Sequence, residues 1–269
     1  MTQLAYYKIL FMTELLVALL MFSIKLTHRK HFALRIVCGV LLCYVVAILF
    51  PVDERFSYNG WYSSCMFLCL ATAALLVLMF AFKIPWGVGL FCLITAYTVQ
   101  HIAYETYNLI AIAFGLDGSG MYGSSVVDFY SVTITDCFKA LIYLDVYLFV
   151  YWLSYILLGK KLISDGQVVL KNVQTLFLSA LILVVDIALN AFIVYGSQQV
   201  KQYNFIACVY NILCCILVLY VQFTLVKVKE SELETASLRQ LLHQVKEQYE
   251  EKRKTFSLFC LVKCFFFTA

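Results

Sequence analysis

The chain carries the stretch FIACVYNILCCILVLYVQFTLV from Phe205 to Val226, followed at once by KVKESELETASLRQLLHQVKEQYEEKRKT from Lys227 to Thr255. The first stretch has no charged residue and is long enough for a helix to cross a bilayer, which takes about 20 residues. The second stretch is rich in charged residues and helix formers and contains no Gly or Pro, so it predicts a continuation of the same helix. Together they predict a membrane domain joined to a polar helix.

The composition of the whole chain supports this division. Its 269 residues are 63% hydrophobic and 13% charged, against roughly 45–50% and about 25% in soluble domains, which excludes a soluble globular enzyme. Of the 36 charged residues, 14 follow Val226. Only two Pro and 11 Gly favour membrane helices over a β-barrel, whose strands need frequent turns. The net charge of +4 gives no reason to expect a nucleic-acid partner.

Apolar runs of membrane-spanning length predict an all-α membrane protein with about seven transmembrane helices, followed by a coiled-coil-like cytoplasmic helix. The predicted domains are a polytopic transmembrane domain over 1–226, a linker and dimerisation helix over 227–255, and an apolar tail over 256–269. The predicted spans are Ile9 to Ile24, Phe32 to Phe50, Trp61 to Phe82, Gly87 to Phe114, Cys137 to Leu158, Val173 to Tyr195, and Phe205 to Val226.

Basic residues in the connecting loops predict the orientation, because Lys and Arg collect on the cytoplasmic side of short loops. An external N-terminus leaves three basic residues outside: Lys8, Arg55 and Lys201. It places eight inside: Lys25, Arg29, Lys30, Arg35, Lys83, Lys160, Lys161 and Lys171. We therefore predict a multi-pass plasma-membrane protein with its N-terminus outside and its C-terminal helix in the cytoplasm.

Polar residues within the predicted spans are candidates for ligand binding, since ionisable groups are costly at membrane depth. They are Glu14, His101, Glu105, Asp136, Lys139, Asp145, Asp186 and Asn190, and counting from the span ends places them in the outer half of the membrane or at its outer interface. This distribution predicts a net acidic cavity, open to the exterior, for an extracellular small-molecule or peptide ligand with amines or a cationic side chain. The alternative is that these groups pair with one another and hold the bundle together, or that the span boundaries are shifted and the charges lie among the lipid headgroups.

No metal, cofactor or soluble catalytic site is predicted. His101 and Glu105 are four residues apart on one helical face, but no third or fourth ligand follows at helical spacing, and a structural metal site needs about four. Cysteines inside apolar runs, among them Cys214 and Cys215, are expected to pack as small hydrophobic residues. Phosphate-loop, zinc-protease, nucleophile-elbow and dinucleotide-binding motifs are missing from the sequence.

The polar helix has an interrupted apolar seam in heptad spacing, with Leu238, Leu242, Val245 and Tyr249 at its centre. These residues take a and d positions, which pack against a second helix in a coiled coil. We therefore predict a dimer through this seam. A marginal seam suits signal transmission, because two packings of similar energy can be biased from the membrane. The alternative is a solvated monomeric helix without a signalling role.

The segment LRQLLHQVKEQYEEKRK, from Leu238 to Lys254, resembles the linker of accessory-gene-regulator-like sensor histidine kinases of Gram-positive bacteria, which belong to the GHKL class. In that family the linker joins a membrane sensor of six or seven spans to the catalytic part. The resemblance implies an extracellular signal, often a peptide, that drives autophosphorylation in a dimer and belongs to two-component signalling and quorum sensing.

The sequence departs from that family after the linker. The family continues into an acceptor His and an ATP-binding domain, whereas this chain continues as TFSLFCLVKCFFFTA from Thr255, and His243 lies upstream of the acceptor position. We interpret the ending as truncation or frameshift, with a short membrane-returning tail as the alternative. Two functions follow: a sensor module that pairs with itself or with an intact kinase homologue, and a small transporter or cation-binding membrane protein.

Overall fold

The computed structural model describes the backbone of residues 3–24, 26–50, 60–115, 134–159, 173–196 and 201–267. Every regular element within these ranges is a helix, which confirms the all-α class. The helices are α1 Gln3–Ser23, α2 Phe32–Leu49, α3 Gly60–Ala81, α4 Trp86–Phe114, α5 Ile134–Ser154, α6 Val173–Gly196 and α7 Lys201–Phe267. A π-helical turn, Tyr155–Gly159, follows α5 directly.

Five of these helices contain a described stretch long and apolar enough to cross a membrane. The stretches are Phe32–Leu49, Ser64–Ala81, Trp86–Phe114, Phe138–Leu158 and Phe205–Thr224, and each overlaps one of the predicted spans. The predicted first and sixth spans form the helices α1 and α6, but the apolar part described in α6 is shorter, Leu176–Ala188. The fold is compatible with a multi-pass membrane protein, and seven spans stay a prediction.

Helix α4 is the most enclosed helix of the bundle and contacts α1, α3, α5 and α6. Its side chains are buried on nearly all sides from Val88 to Ala111, which is typical of a core helix. The helices around it present large apolar side chains outward, such as Leu41 on α2 and Phe149 on α5. Because lipid tails are as apolar as leucine, such outer faces suit a bilayer.

Helices α2 and α3 approach each other closely along a strip of small residues. Gly39, Cys43 and Ala47 are buried in α2 and lie four positions apart on one face. A Cβ atom added at Gly39 would lie 2.4 Å from Cγ1 of Val77 in α3, so the contact requires glycine unless Val77 shifts. Small residues at this spacing let membrane helices pack with their backbones close together.

The loops α1–α2 and α3–α4 contact each other at one end of the bundle. Arg29 donates from its main-chain N–H to the carbonyl of Ala81 (3.1 Å) and from Nε to that of Phe82 (2.9 Å). Arg35 Nη1 donates to the carbonyl of Phe80 (3.1 Å). Cationic side chains therefore satisfy the last carbonyls of α3, where the helix dipole also favours positive charge. Two loops predicted to be cytoplasmic thus lie at the same end of the bundle, and the side of the membrane stays a prediction.

The chain divides into two compact units, Met1–Leu225 and Val226–Ala269. In the second unit α7 is helical, and the side chains described between Lys227 and Thr255 are all exposed. Leu238, Leu242, Val245 and Tyr249 are among them, with exposed fractions of 60% or more. The apolar seam of this helix is therefore uncovered in a single copy of the chain, and its pairing into a coiled coil stays a prediction.

Candidate functional site

The buried face of α4 carries polar side chains at helical spacing. His101, Glu105 and Asn108 follow one another at intervals of four and three residues, and all three are less than a tenth exposed. Side chains at this spacing share one face of a helix. The face meets α6 and α7, where polar groups from both helices lie against it.

We name the resulting group the central cluster: His101 and Glu105 of α4, Asp186 of α6, and Asn211 and Cys215 of α7. His101 Nε2 lies 3.8 Å from Glu105 Oε1 and 3.9 Å from Asp186 Oδ2. Asn211 Nδ2 donates a hydrogen bond to Glu105 Oε1 (3.1 Å), and the Cys215 thiol points to Asp186 Oδ2 (3.8 Å). Two carboxyl groups thus face one imidazole inside an apolar bundle.

The central cluster is enclosed. Glu105, Asn211 and Cys215 are 0% exposed and Asp186 is 2% exposed, so the acidic groups do not line an open surface. Within the described residues, Asp186 Oδ1 and Asn211 Oδ1 have no hydrogen-bond partner. Buried polar atoms normally have one because desolvation without a partner is costly. The cluster therefore has unused acceptor capacity in the core of the bundle.

A second polar contact joins the same three helices closer to the start of α4. Thr95 Oγ1 lies 3.4 Å from Gln222 Oε1 of α7, and Gln222 Nε2 donates to Ser179 Oγ of α6 (3.2 Å). All three residues are fully buried. Together with the central cluster, this contact forms a series of polar groups along the packing surfaces of α4, α6 and α7.

A separate polar group, the Glu14 group, lies between α1, α4 and α5. Glu14 Oε2 accepts hydrogen bonds from Gln100 Nε2 (2.9 Å) and from the Tyr147 hydroxyl (3.0 Å). The Tyr151 hydroxyl donates to the main-chain carbonyl of Glu14 (3.0 Å). Since Gln100 precedes His101 directly, α4 presents polar side chains to both sides of the bundle.

The structure brings together only some of the predicted site residues. His101, Glu105 and Asp186 meet in the central cluster, whereas Glu14 belongs to its own group. Asp145 is exposed and Lys139 is half-buried on α5, so neither joins the enclosed acids. The side chains of Asp136 and Asn190 lie outside the described residues.

His101 lies just beyond the middle of the 29-residue helix α4, and Asp186 lies just beyond the middle of the 24-residue helix α6. In the predicted orientation, both residues are on the outer side of the helix midpoints. Their position in the outer half of the membrane stays a prediction.

Sequence reasoning missed the contribution of α7. Cys215 was expected to pack as an apolar residue, yet its thiol faces Asp186, and Asn211 and Gln222 were not considered as site residues. The sequence does contain a pattern that points to these three residues. Asn211, Cys215 and Gln222 are separated by four and seven residues within an apolar run, and this spacing places them on one helix face.

No family model, no curated protein and no solved structure matches the chain. Its function must therefore be inferred from the chemistry and the arrangement of its own residues.

Proposed function

We propose that the chain is a membrane sensor module that detects an extracellular small molecule or peptide and passes the signal through α7 to a dimeric cytoplasmic segment. The resemblance of its linker to that of the histidine kinases suggests two-component signalling, with catalysis supplied by another chain. One observation carries this proposal. The single helix α7, Lys201–Phe267, contributes Asn211 and Cys215 to the central cluster and also carries the exposed seam.

The proposed signal transmission depends on the continuity of helix α7. An unbroken helix transmits a shift or a rotation along its length, because every turn is hydrogen-bonded to the next. A change at the central cluster would move Asn211 and Cys215, and the same helix would carry that movement to Leu238 and Leu242. A marginal seam has the small energy difference between packings that such a switch needs.

A second copy of the chain is the proposed partner of the seam. Leu238 and Val245 take d positions and Leu242 and Tyr249 take a positions, so each copy would cover the other's exposed apolar side chains. In a parallel pair with this register, Glu234 at g lies opposite Arg239 at e of the second copy, and their opposite charges favour the alignment. An intact kinase homologue with the same linker would fit the same seam.

Cross-linking tests both the dimer and the coupling. The full chain, with every cysteine except the buried Cys215 replaced, receives one new cysteine on the seam at 238, 242, 245 or 249. Matched controls carry it on the opposite face of the helix at 240, 244 or 247. We expect cross-links between copies at the seam positions and few at the control positions. Equal yields on both faces would contradict a defined seam.

Asp186→Asn then tests whether the cluster communicates with the seam. We expect this change to alter the cross-linking yields at 238 and 242, because Asp186 contacts Cys215 of α7. Thr13→Val is the control, since it removes the hydrogen bond between the hydroxyl groups of Thr13 on α1 and Tyr44 on α2 (2.9 Å), which does not involve α7. Unchanged yields in Asp186→Asn protein would contradict signal transmission through α7.

The series of polar groups along α4, α6 and α7 favours a second candidate function, cation transport. Ionisable residues inside a membrane bundle often mark an ion pathway, and here the central cluster and the Gln222 contacts follow one another along three helices. Cation flux into proteoliposomes that falls in Asp186→Asn protein would support transport. Ligand binding to the purified chain without flux would support the sensor instead.

A further inference from the structure

We propose that the central cluster is a binding site for one divalent transition-metal ion of the Zn²⁺ class, with His101, Asp186, Cys215 and Glu105 as ligands. The proposal is independent of the sensor function, because it concerns binding alone. It reverses the expectation from sequence, where only His101 and Glu105 lay at ligand spacing. The missing donors come from α6 and α7.

The geometry of the donor atoms fits a metal ion. His101 Nε2, Asp186 Oδ2 and Cys215 Sγ all lie within 4.8 Å of one another, and Glu105 Oε1 lies 3.8 Å from His101 Nε2. Tetrahedral zinc sites have bonds of about 2.0–2.3 Å, which separate neighbouring ligand atoms by roughly 3.3–3.7 Å. His101, Asp186 and Cys215 thus offer three donor atoms whose separations exceed those of a tetrahedral site by at most about 1 Å, and Glu105, next to His101, is the proposed fourth ligand.

The contacts of His101 with the two carboxylates are at ion-pair distance. The distances from His101 Nε2 to the two carboxylate oxygens, 3.8 and 3.9 Å, exceed the roughly 2.7–3.2 Å of an N–H···O hydrogen bond. In addition, Asp186 Oδ1 has no hydrogen-bond partner within the described residues, although the side chain is 2% exposed. A bound cation would compensate for the desolvation of this carboxylate and offset the repulsion between Asp186 and Glu105.

Neighbouring groups already orient two of the ligands. Asn211 Nδ2 donates to Glu105 Oε1 (3.1 Å), and the oxygen keeps a second lone pair for a metal. The ring centroids of Tyr97 and Tyr104 lie 6.2 and 6.5 Å from the centroid of the His101 imidazole, so aromatic rings flank this ligand. Partners that orient ligating side chains are a regular feature of metal sites.

The donor set selects the class of metal. Imidazole and thiolate favour Zn²⁺, Co²⁺ and Cu²⁺, whereas Mg²⁺ and Ca²⁺ prefer oxygen ligands alone. Cys215 binds a metal as the thiolate, so its proton is released to solvent when the ion enters. Because the ligands belong to α4, α6 and α7, the ion would join three helices.

The test uses the full-length chain, purified in lipid nanodiscs through a histidine-free tag, stripped with a chelator and titrated with Co²⁺. We expect one Co²⁺ per chain with a thiolate-to-cobalt charge-transfer band, and Zn²⁺ should abolish the band by displacement. A large excess of Mg²⁺ should leave it unchanged. Wild-type protein without the band, or displacement of Co²⁺ by Mg²⁺, would overturn the proposal without reference to any variant.

Variants assign the ligands. Cys215→Ser should lose the band, while Cys92→Ser, which changes a buried cysteine of α4, should retain it. Asp186→Asn should weaken Co²⁺ binding at least roughly tenfold, the lower limit for loss of a group that merely orients a ligand. Circular dichroism and gel filtration identify the folded variants. A folded Cys215→Ser protein that retains the band would place the metal at another cysteine and contradict the assignment.

Discussion

Glu14 illustrates how a carboxyl group is retained in an apolar bundle. It lies in the middle of α1, where ionisable residues are costly, and it accepts hydrogen bonds from Gln100 and from Tyr147. A third bond, from Tyr151 to the main-chain carbonyl of Glu14, ties α5 to the same turn of α1. The group holds three helices together through one residue, which favours a structural role for Glu14 over ligand binding.

Tyr147→Phe tests this role at the scale of a single atom. Removing the hydroxyl deletes one hydrogen bond to Glu14, and we expect the free energy of unfolding to fall by about 1 kcal/mol. Thermal unfolding in detergent, followed by circular dichroism, measures the change. Tyr143→Phe is the matched control, because Tyr143 lies one turn away on α5 and its ring centroid is 4.4 Å from that of Tyr147. Equal destabilisation by both changes would show that the hydrogen bond to Glu14 contributes nothing.

At the scale of elements, packing between helices follows the size of the side chains at each contact. α2 presents Gly39, Cys43 and Ala47 to its neighbours, while its opposite face carries exposed leucines and valines. Close approach of two helices gains dispersion energy that lipid contacts alone do not supply. The small-residue strip therefore determines which face of α2 turns inward.

Gly39→Ala is expected to destabilise the bundle, because the new methyl group would lie 2.4 Å from Val77 and overpacking typically costs about 1–3 kcal/mol. Gly87→Ala is the control, since its methyl group would meet only Leu176 Cδ2 at 3.9 Å. Melting temperatures of the two variants in detergent provide the comparison. A loss of stability confined to Gly87→Ala would contradict this account of α2 and α3.

At the scale of the whole molecule, the predicted orientation in the membrane depends on the distribution of basic residues, whereas the central cluster depends on the packing of the helices. The loops α1–α2 and α3–α4 meet at one end of the bundle, where Arg29 donates to the carbonyl of Phe82 and the main-chain N–H of Lys83 donates to the carbonyl of Thr27, which agrees with their assignment to a common side. The contacts within the bundle are the same whichever end faces the cytoplasm. The predicted orientation of the chain in the membrane therefore rests on the preference of Lys and Arg for cytoplasmic loops.

Cysteine labelling in intact cells measures this orientation. A membrane-impermeant maleimide should label a cysteine placed in the predicted external segment 197–204 and should not label one at position 242 until the cells are permeabilised. The background lacks all cysteines except the buried Cys215. Labelling at 242 in intact cells would invert the predicted topology and, with it, the cytoplasmic position of the seam.

The sequence by itself determined the features that depend on local composition. Runs of apolar residues predicted the positions of the helices, and the charged stretch after Val226 predicted the polar continuation of α7. The spacing of His101 and Glu105 also predicted their contact, because a helix brings residues four apart together regardless of its surroundings.

Only the tertiary structure decided what surrounds that pair. Asp186 and Cys215 reach His101 because α6 and α7 pack against one face of α4, while Glu14 meets the other side through Gln100. Apolar periodicity does not specify such choices in a membrane helix, since its lipid-facing and buried surfaces are similarly apolar and helix contacts depend on shape and a few polar groups. The local pair was therefore predictable, and the complete cluster was not.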